Sequence, residues 1–177
     1  MKKMLCIPFA CLFWLVAEVF GHSKPTVVLV PGAWHSPIHY SLVTGLLSLG
    51  GYPIVSERLP SVNSTTPKSI SVTTDANFIR NQLIVPLLNQ GKDVLLIAHS
   101  YGGSPGAAAA YGLSKAERTA AGQAGGVIGL IFIAAFLAEA GVSVLDDLGG
   151  QFNSWVVVNV SVSFICLFLF FFFFPLC

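Results

Sequence analysis

Histidine is missing from the entire chain beyond position 99; its four copies are His22, His35, His39 and His99. Chemistry that needs an imidazole from later in the chain is therefore not encoded in these 177 residues. Cysteine is missing between Cys11 and Cys166, which excludes a disulfide framework or a thiolate-held metal from the middle of the protein. Charge is scarce as well. Nine Lys and Arg against eight Asp and Glu leave a net +1, and no basic cluster offers a nucleic acid anything to bind.

What the chain has in excess is apolar surface. Hydrophobic residues make up 54% and charged ones 10%, well outside the balance of an ordinary soluble domain, and two end segments account for much of the difference. Residues 1–21, "MKKMLCIPFACLFWLVAEVFG", open with Lys2 and Lys3. The apolar stretch from Met4 to Val16 that follows is too short to span a bilayer comfortably. Val19 and Gly21 are small residues at the −3 and −1 positions of a cleavage site. This pattern predicts a secretory signal peptide cut after Gly21, and hence a secreted protein. Asn63-Ser64-Thr65, in a polar loop, matches a glycosylation acceptor and agrees with that expectation.

The other segment, residues 156–177, carries no charge and holds seven of the 14 Phe residues. A membrane helix there would be interrupted by Asn159, Ser161 and Ser163 and would lack flanking basic residues. A lipid-anchor signal would need a polar spacer that is missing. A core strand suits "WVVV" but not five consecutive Phe. Translated T-rich noncoding sequence gives this composition, and a splice donor read in frame gives the Val160-Ser161 that follows Asn159. The tail is thus expected to be a retained intron or a wrong gene model, with membrane attachment through the tail as the alternative. The expected organisation is a signal peptide over 1–21, a partial domain over 22–155 and a hydrophobic tail over 156–177.

Between the ends the periodicity alternates. "TVVLV" (Thr26 to Val30) reads as a buried strand, and Leu42, Leu46, Leu47 and Leu49 as a helical stripe stopped by Gly50-Gly51. "YPIVSERL" is a weaker, edge-like strand. Thr74 is the expected cap of a helix with Asp75 in its first turn, and Ile79, Leu83 and Leu87 lie along one face. Pro86 is expected to kink that helix. "DVLLIAHS" is a continuous apolar strand, a helix follows from Gly102 to Tyr111, and a fourth strand runs from Val127 to Ala135. Glu117 and Arg118 read as a solvated helix face. Fully apolar strands alternating with helices predict an α/β fold: about four parallel strands with flanking helices.

The chemistry sits at the end of the third strand, in "LIAHSYGGSPG". A serine hydroxyl attacks only if it is presented outward beside a base. A sharp strand-to-helix turn presents it, and crowding in that turn demands small residues two before and two after. Around Ser100 these are Ala98 and Gly102, with Gly103 letting the helix approach the sheet, as in a G-x-S-x-G nucleophile elbow with Ala in the first place. The Tyr101 N–H, at the helix start, is placed to stabilise negative charge. A second donor is expected from the loop after the first strand, "PGAWH", at Ala33. Trp34 and His35 would line the pocket beside it.

"VVLVPGAW" and "DVLLIAHSYGG" together resemble the α/β-hydrolase superfamily. The closest likeness is to the branch of small esterases that includes plant methylesterases and hydroxynitrile lyases, together with fungal relatives, over roughly residues 25–155. The resemblance implies a Ser-His-Asp hydrolase of small esters, without metal or cofactor, and Trp34 and Tyr101 suggest an apolar or aromatic acyl group. Pro31 replaces a His common before the glycine, and Ala98 replaces Gly. The resemblance also implies that the acid and then the histidine follow the nucleophile; no histidine follows here, and acids are scarce. His99 reads as a packed core histidine, His39 as a helix-surface residue, and Asp146 and Asp147 as a polar cap on a lid helix.

Three readings follow. One is a secreted ester hydrolase whose chain is C-terminally truncated, and so inactive as it stands. Another is a non-catalytic hydrolase-like binding protein tethered to a membrane by its tail, and the last an active enzyme with an unusual base such as His35. The first reading expects the spliced message to run on past codon 159 into strands carrying an Asp and a His; sequencing the mature transcript and finding the Phe run followed by a stop would overturn it.

Overall fold

The computed structural model describes residues 23–66, 69–137, 139, 141–147, 149–151 and 171–174. The expected signal peptide lies outside the described residues, as does all of the tail except 171–174. One five-stranded sheet runs in the order β2-β1-β3-β4-β5. Its strands are β1 (Thr26–Val30), β2 (Ile54–Val55), β3 (Val94–His99), β4 (Val127–Ile133) and β5 (Phe171–Phe174). The first four are parallel to their neighbours and β5 is antiparallel to β4. The α/β sheet of four parallel strands expected from the periodicity is thus present.

Four of the expected elements differ in detail. Tail residues Phe171–Phe174 form a strand after all, paired with Ile133 to Leu130. The fourth strand stops at Ile133 because Ala134 takes a left-handed φ of 43°. The helix expected from Thr74 is capped by Ser71, whose hydroxyl accepts the Thr74 N–H while the Thr74 hydroxyl accepts the Ser71 N–H. Both residues are hydroxyls three apart, so the reciprocal bonds of a capping box belong to either reading of the sequence. The departure from regular helix comes ahead of Pro86: α2 (Val72–Phe78) runs into a π-helical segment, Ile79–Ile84, and then α3 (Val85–Leu88).

The core lies on one face of the sheet. Val28, Val30, Leu96, Ala98, Leu130 and Phe132 from the strands pack with Ile79, Leu83, Ile84, Leu87 and Leu88 of the π segment and α3. Ala109, Ala110 and Leu113, at the end of α4 (Gly103–Ala110), complete the cluster. The expected stripe of Ile79, Leu83 and Leu87 is buried throughout.

The first helix, α1 (Ser41–Leu49), behaves otherwise and buries none of its residues. Leu42, Leu46 and Leu49 are 76%, 62% and 87% exposed, so its apolar stripe meets solvent. In α5 (Lys115–Ala120) Arg118 is buried, not solvated. Its guanidinium donates to the carbonyls of Gly125 and Ala124, closing the loop that leads into β4. Glu117 is exposed and caps its own helix through Ser114. Among the described residues no helix is long and apolar enough to cross a membrane.

The two leucine sets respond differently to mutation. Ile84→Ala, at a position fully buried in the core, should cost about 2–5 kcal/mol in denaturant titration. The triple change of Leu42, Leu46 and Leu49 to Ser should stay within about 0.5 kcal/mol per site and reduce light scattering from self-association.

Candidate functional site

Strand order reverses at β1: the chain passes to β2 on one side of it, then crosses to β3 on the other. Such a switch point opens a crevice at the carboxyl ends of the two strands. Val30 pairs with Ala98 there, so the loops starting at Pro31 and at His99 emerge side by side. They are the two segments that the sequence singled out.

Ser100 takes a φ of 51°, the left-handed region that a non-glycine side chain enters at about 1–2 kcal/mol. A single turn of 3-10 helix, Ser100–Gly102, leads from it directly into α4. The turn has no spare volume. A Cβ on Gly102 would lie 2.5 Å from the Pro31 carbonyl oxygen and 2.8 Å from that of Val30. One on Gly103 would press on the Phe136 carbonyl and lie 2.8 Å from Ala135 Cβ. Ala98 is completely buried. The loop after β4 closes the far side, where the Phe136 N–H donates to the Ser100 carbonyl at 3.0 Å.

Tyr101 points away from the mouth of the crevice. Its hydroxyl donates to Asp75 Oδ2 at 2.8 Å, and Asp75 Oδ1 accepts the Ser61 N–H at 3.0 Å. Burial, then the bond to Asp75, pushes the Tyr101 phenol well above the ordinary tyrosine range. Asp75 is fully buried, and both its oxygens act as an anchor for the residue after Ser100. The sequence carries a signal for this: Asp75 sits four residues before Ile79, on the buried face of the helix.

On the other loop, Gly32 to His35 form a turn closed by the His35 N–H on the Gly32 carbonyl at 3.2 Å. Trp34 takes a φ of 60° and its side chain is 64% exposed. His35 Nδ1 donates to the Ala33 carbonyl at 2.7 Å. The Ala33 N–H has no acceptor among the described residues. A Cβ on Gly32 would stand 2.9 Å from His99 Nδ1 and 3.0 Å from Ser100 Cβ, which measures how closely the two loops approach.

His99 is buried and hydrogen-bonded, as a packed core histidine should be. The Gly32 N–H donates to the Tyr40 hydroxyl oxygen at 2.9 Å, and that hydroxyl lies 2.8 Å from His99 Nδ1. A neutral His99 with its hydrogen on Nε2, its Nδ1 accepting the hydroxyl proton, satisfies both groups, since the phenol oxygen already accepts from Gly32. Burial, then the neighbouring His35, holds His99 below the ordinary histidine range. The rings of His35 and His99 are 5.5 Å apart. His39 is exposed and folds back on Ser36.

Sequence reading missed Tyr40 altogether. His35, His39 and His99 form no metal site: among the described residues no three His, Cys, Asp or Glu are grouped to hold an ion. Asp146 is exposed and caps the short helix α6 (Val144–Asp147) through Ser143, whose hydrogen bonds lower its pKa.

Ser100, at the end of β3, thus lies beside the β1 loop at the strand-order switch. The chain belongs to the alpha/beta hydrolase family, whose sequence profile matches residues 27–173. It is 34% identical over 125 residues to "Alpha/beta hydrolase nvfD" of Aspergillus novofumigatus, covering 71% of this chain and 48% of that protein. It is 29% identical over 130 residues to "Probable hydrolase R7" of a Phoma species, covering 73% and 50%. The chain thus spans about half the length of the curated relatives it matches.

The neutral state of His99 has a consequence for stability. The unfolded chain protonates this histidine near its ordinary 6.5, whereas the folded chain resists until lower pH. Stability is therefore full above that value and is lost as pH falls through it. Melting temperature should drop between pH 7.5 and pH 5.5, and drop less in His99→Gln; an equal drop in both proteins would contradict this.

Proposed function

We propose that the protein is a serine ester hydrolase of the small-esterase branch of its family. Ser100 is the nucleophile, the Ala33 and Tyr101 N–H groups receive the oxyanion, and the substrate is a small ester with an apolar or aromatic acyl group. The observation that carries this reading is the left-handed φ of 51° at Ser100, between a buried strand and a helix. The fold holds this hydroxyl in a strained turn beside a loop whose Ala33 N–H is free. Attack of Ser100 Oγ on a carbonyl carbon would form the Oγ–C bond as the carbonyl π bond breaks and its charge moves to oxygen, where pre-aligned N–H groups act most strongly. Collapse of this tetrahedral adduct would expel the alcohol and leave the Ser100 ester.

The serine proton then needs a base. His99 Nδ1 is occupied by Tyr40, and His35 Nδ1 by a carbonyl. Neither ring is hydrogen-bonded to the Ser100 hydroxyl, and no histidine follows it. We take the 177 residues alone to be inactive, since losing the base of a triad costs on the order of a millionfold in rate. The printed names of the relatives, hydrolases both, agree with the reaction class and go no further. Secretion through residues 1–21, with a glycan on the exposed Asn63, belongs to the same proposal.

The test expresses the chain in a secretory eukaryotic host and collects protein starting at His22. Hydrolysis of p-nitrophenyl butyrate should match that of Ser100→Ala. A fluorophosphonate should label Ser100 slowly, and added imidazole, standing in for the missing base, should speed the labelling. Labelling spread over other serines would overturn the assignment of the nucleophile, and turnover far above Ser100→Ala without imidazole would overturn the inactivity.

A further inference from the structure

We infer that Tyr40 is the positioning residue of this site, its hydroxyl tying the Gly32–His35 turn to His99 and so holding the Ala33 N–H in place beside Ser100. The inference rests on the serine-hydrolase reading for its catalytic meaning, while the tether itself is a matter of geometry. Among the described residues, the other hydrogen bonds of residues 32–35 are internal to the turn: His35 N–H to Gly32, and His35 Nδ1 to Ala33. The Gly32–Tyr40 bond of 2.9 Å is the one that leaves it. The next bond, from Tyr40 to His99 at 2.8 Å, spans 59 residues of sequence and ends on the residue preceding the serine.

A turn of this kind needs a tether. Trp34 stands in the left-handed region and is largely exposed, so little packing offsets the strain. Gly32 lies against His99 and Ser100 with no room for a side chain. The loop must therefore stay close to the elbow while its own conformation favours springing away. Tyr40 is suited to oppose that. It ends the 3-10 turn Pro37–Tyr40, and its carbonyl accepts the Thr44 hydroxyl at 3.1 Å, so its ring stands on a hydrogen-bonded helix start.

The relay has a direction. The Gly32 N–H gives to the phenol oxygen, and the phenol gives to His99 Nδ1, which requires a neutral imidazole. The groups facing His99 are Tyr40 from the 3-10 turn and His35 from the β1 loop. No carboxylate, lysine or arginine among the described residues bonds to it. Its lowered pKa keeps the Nδ1 lone pair available near neutrality. Acidification would protonate Nδ1, leave the phenol proton without an acceptor, and loosen the turn.

The test compares the wild-type chain with Tyr40→Phe, which keeps the ring and removes the hydroxyl, and with Ile38→Ala, an exposed neighbour on the same turn. Amide exchange in a peptide covering residues 31–36 should rise about tenfold in Tyr40→Phe, the loss expected for one hydrogen bond. Histidine C2–H exchange by mass spectrometry should place the His99 pKa below the ordinary histidine value in the wild type, and nearer to that value in the variant. Imidazole-assisted phosphonate labelling of Ser100 should fall about tenfold in Tyr40→Phe, with Ile38→Ala unchanged throughout.

If wild-type Ser100 takes no label, the hydrolase reading fails while the exchange data still decide the tether. Unchanged exchange and unchanged His99 titration in Tyr40→Phe would overturn the proposal. Should that variant not fold, a wild-type His99 that titrates at the ordinary histidine value, next to an unprotected Gly32, would overturn it equally.

Discussion

At Ser100 the chain leaves β3 with a φ of 51°, and within three residues it is helical. Backbone oxygens and a neighbouring alanine occupy the space where side chains at Gly102 and Gly103 would be. The turn can be this tight because three segments close around it: β1 with its loop, the loop after β4, and the start of α4. Each is held to it by contact or hydrogen bond. The other features of the site are supports for that geometry. Asp75 holds Tyr101 from below, Phe136 holds the Ser100 carbonyl from the side, and Tyr40 holds the facing loop.

The strongly buried parts of this arrangement were legible from sequence. β1, β3 and β4 read as unbroken apolar runs because parallel strands are covered on both faces and need no polar alternation. The elbow read as small residues at fixed offsets because sterics leave no alternative there. The pattern of apolar runs announces parallel strands but not their order, so the reversal at β1 that places the two loops together was not legible in it.

What stayed hidden depends on contacts across long sequence separations or on single side chains. Arg118 looks like a solvated helix residue until its guanidinium is seen reaching carbonyls of the next loop, and no periodicity encodes that reach. Tyr40 and His99 meet across 59 positions through one hydroxyl, with no motif to announce it. β2 shrinks to two residues because an edge strand beside Pro53 has little to pair with. The leucines of α1 show the opposite failure. The stripe is plain in the sequence, yet a stripe states that a face is apolar and not that anything lies upon it. The Phe run is a related case: low complexity disguised a segment whose backbone can still extend a sheet.

The conformation of Ser100 also bears on how this position can change. Glycine enters the left-handed region without penalty, so replacing the serine by glycine would relax the turn and remove the hydroxyl in one step. A lineage under selection for folding alone has a downhill route away from serine here. The serine is thus a side chain the backbone would readily give up, and stability does not explain its presence.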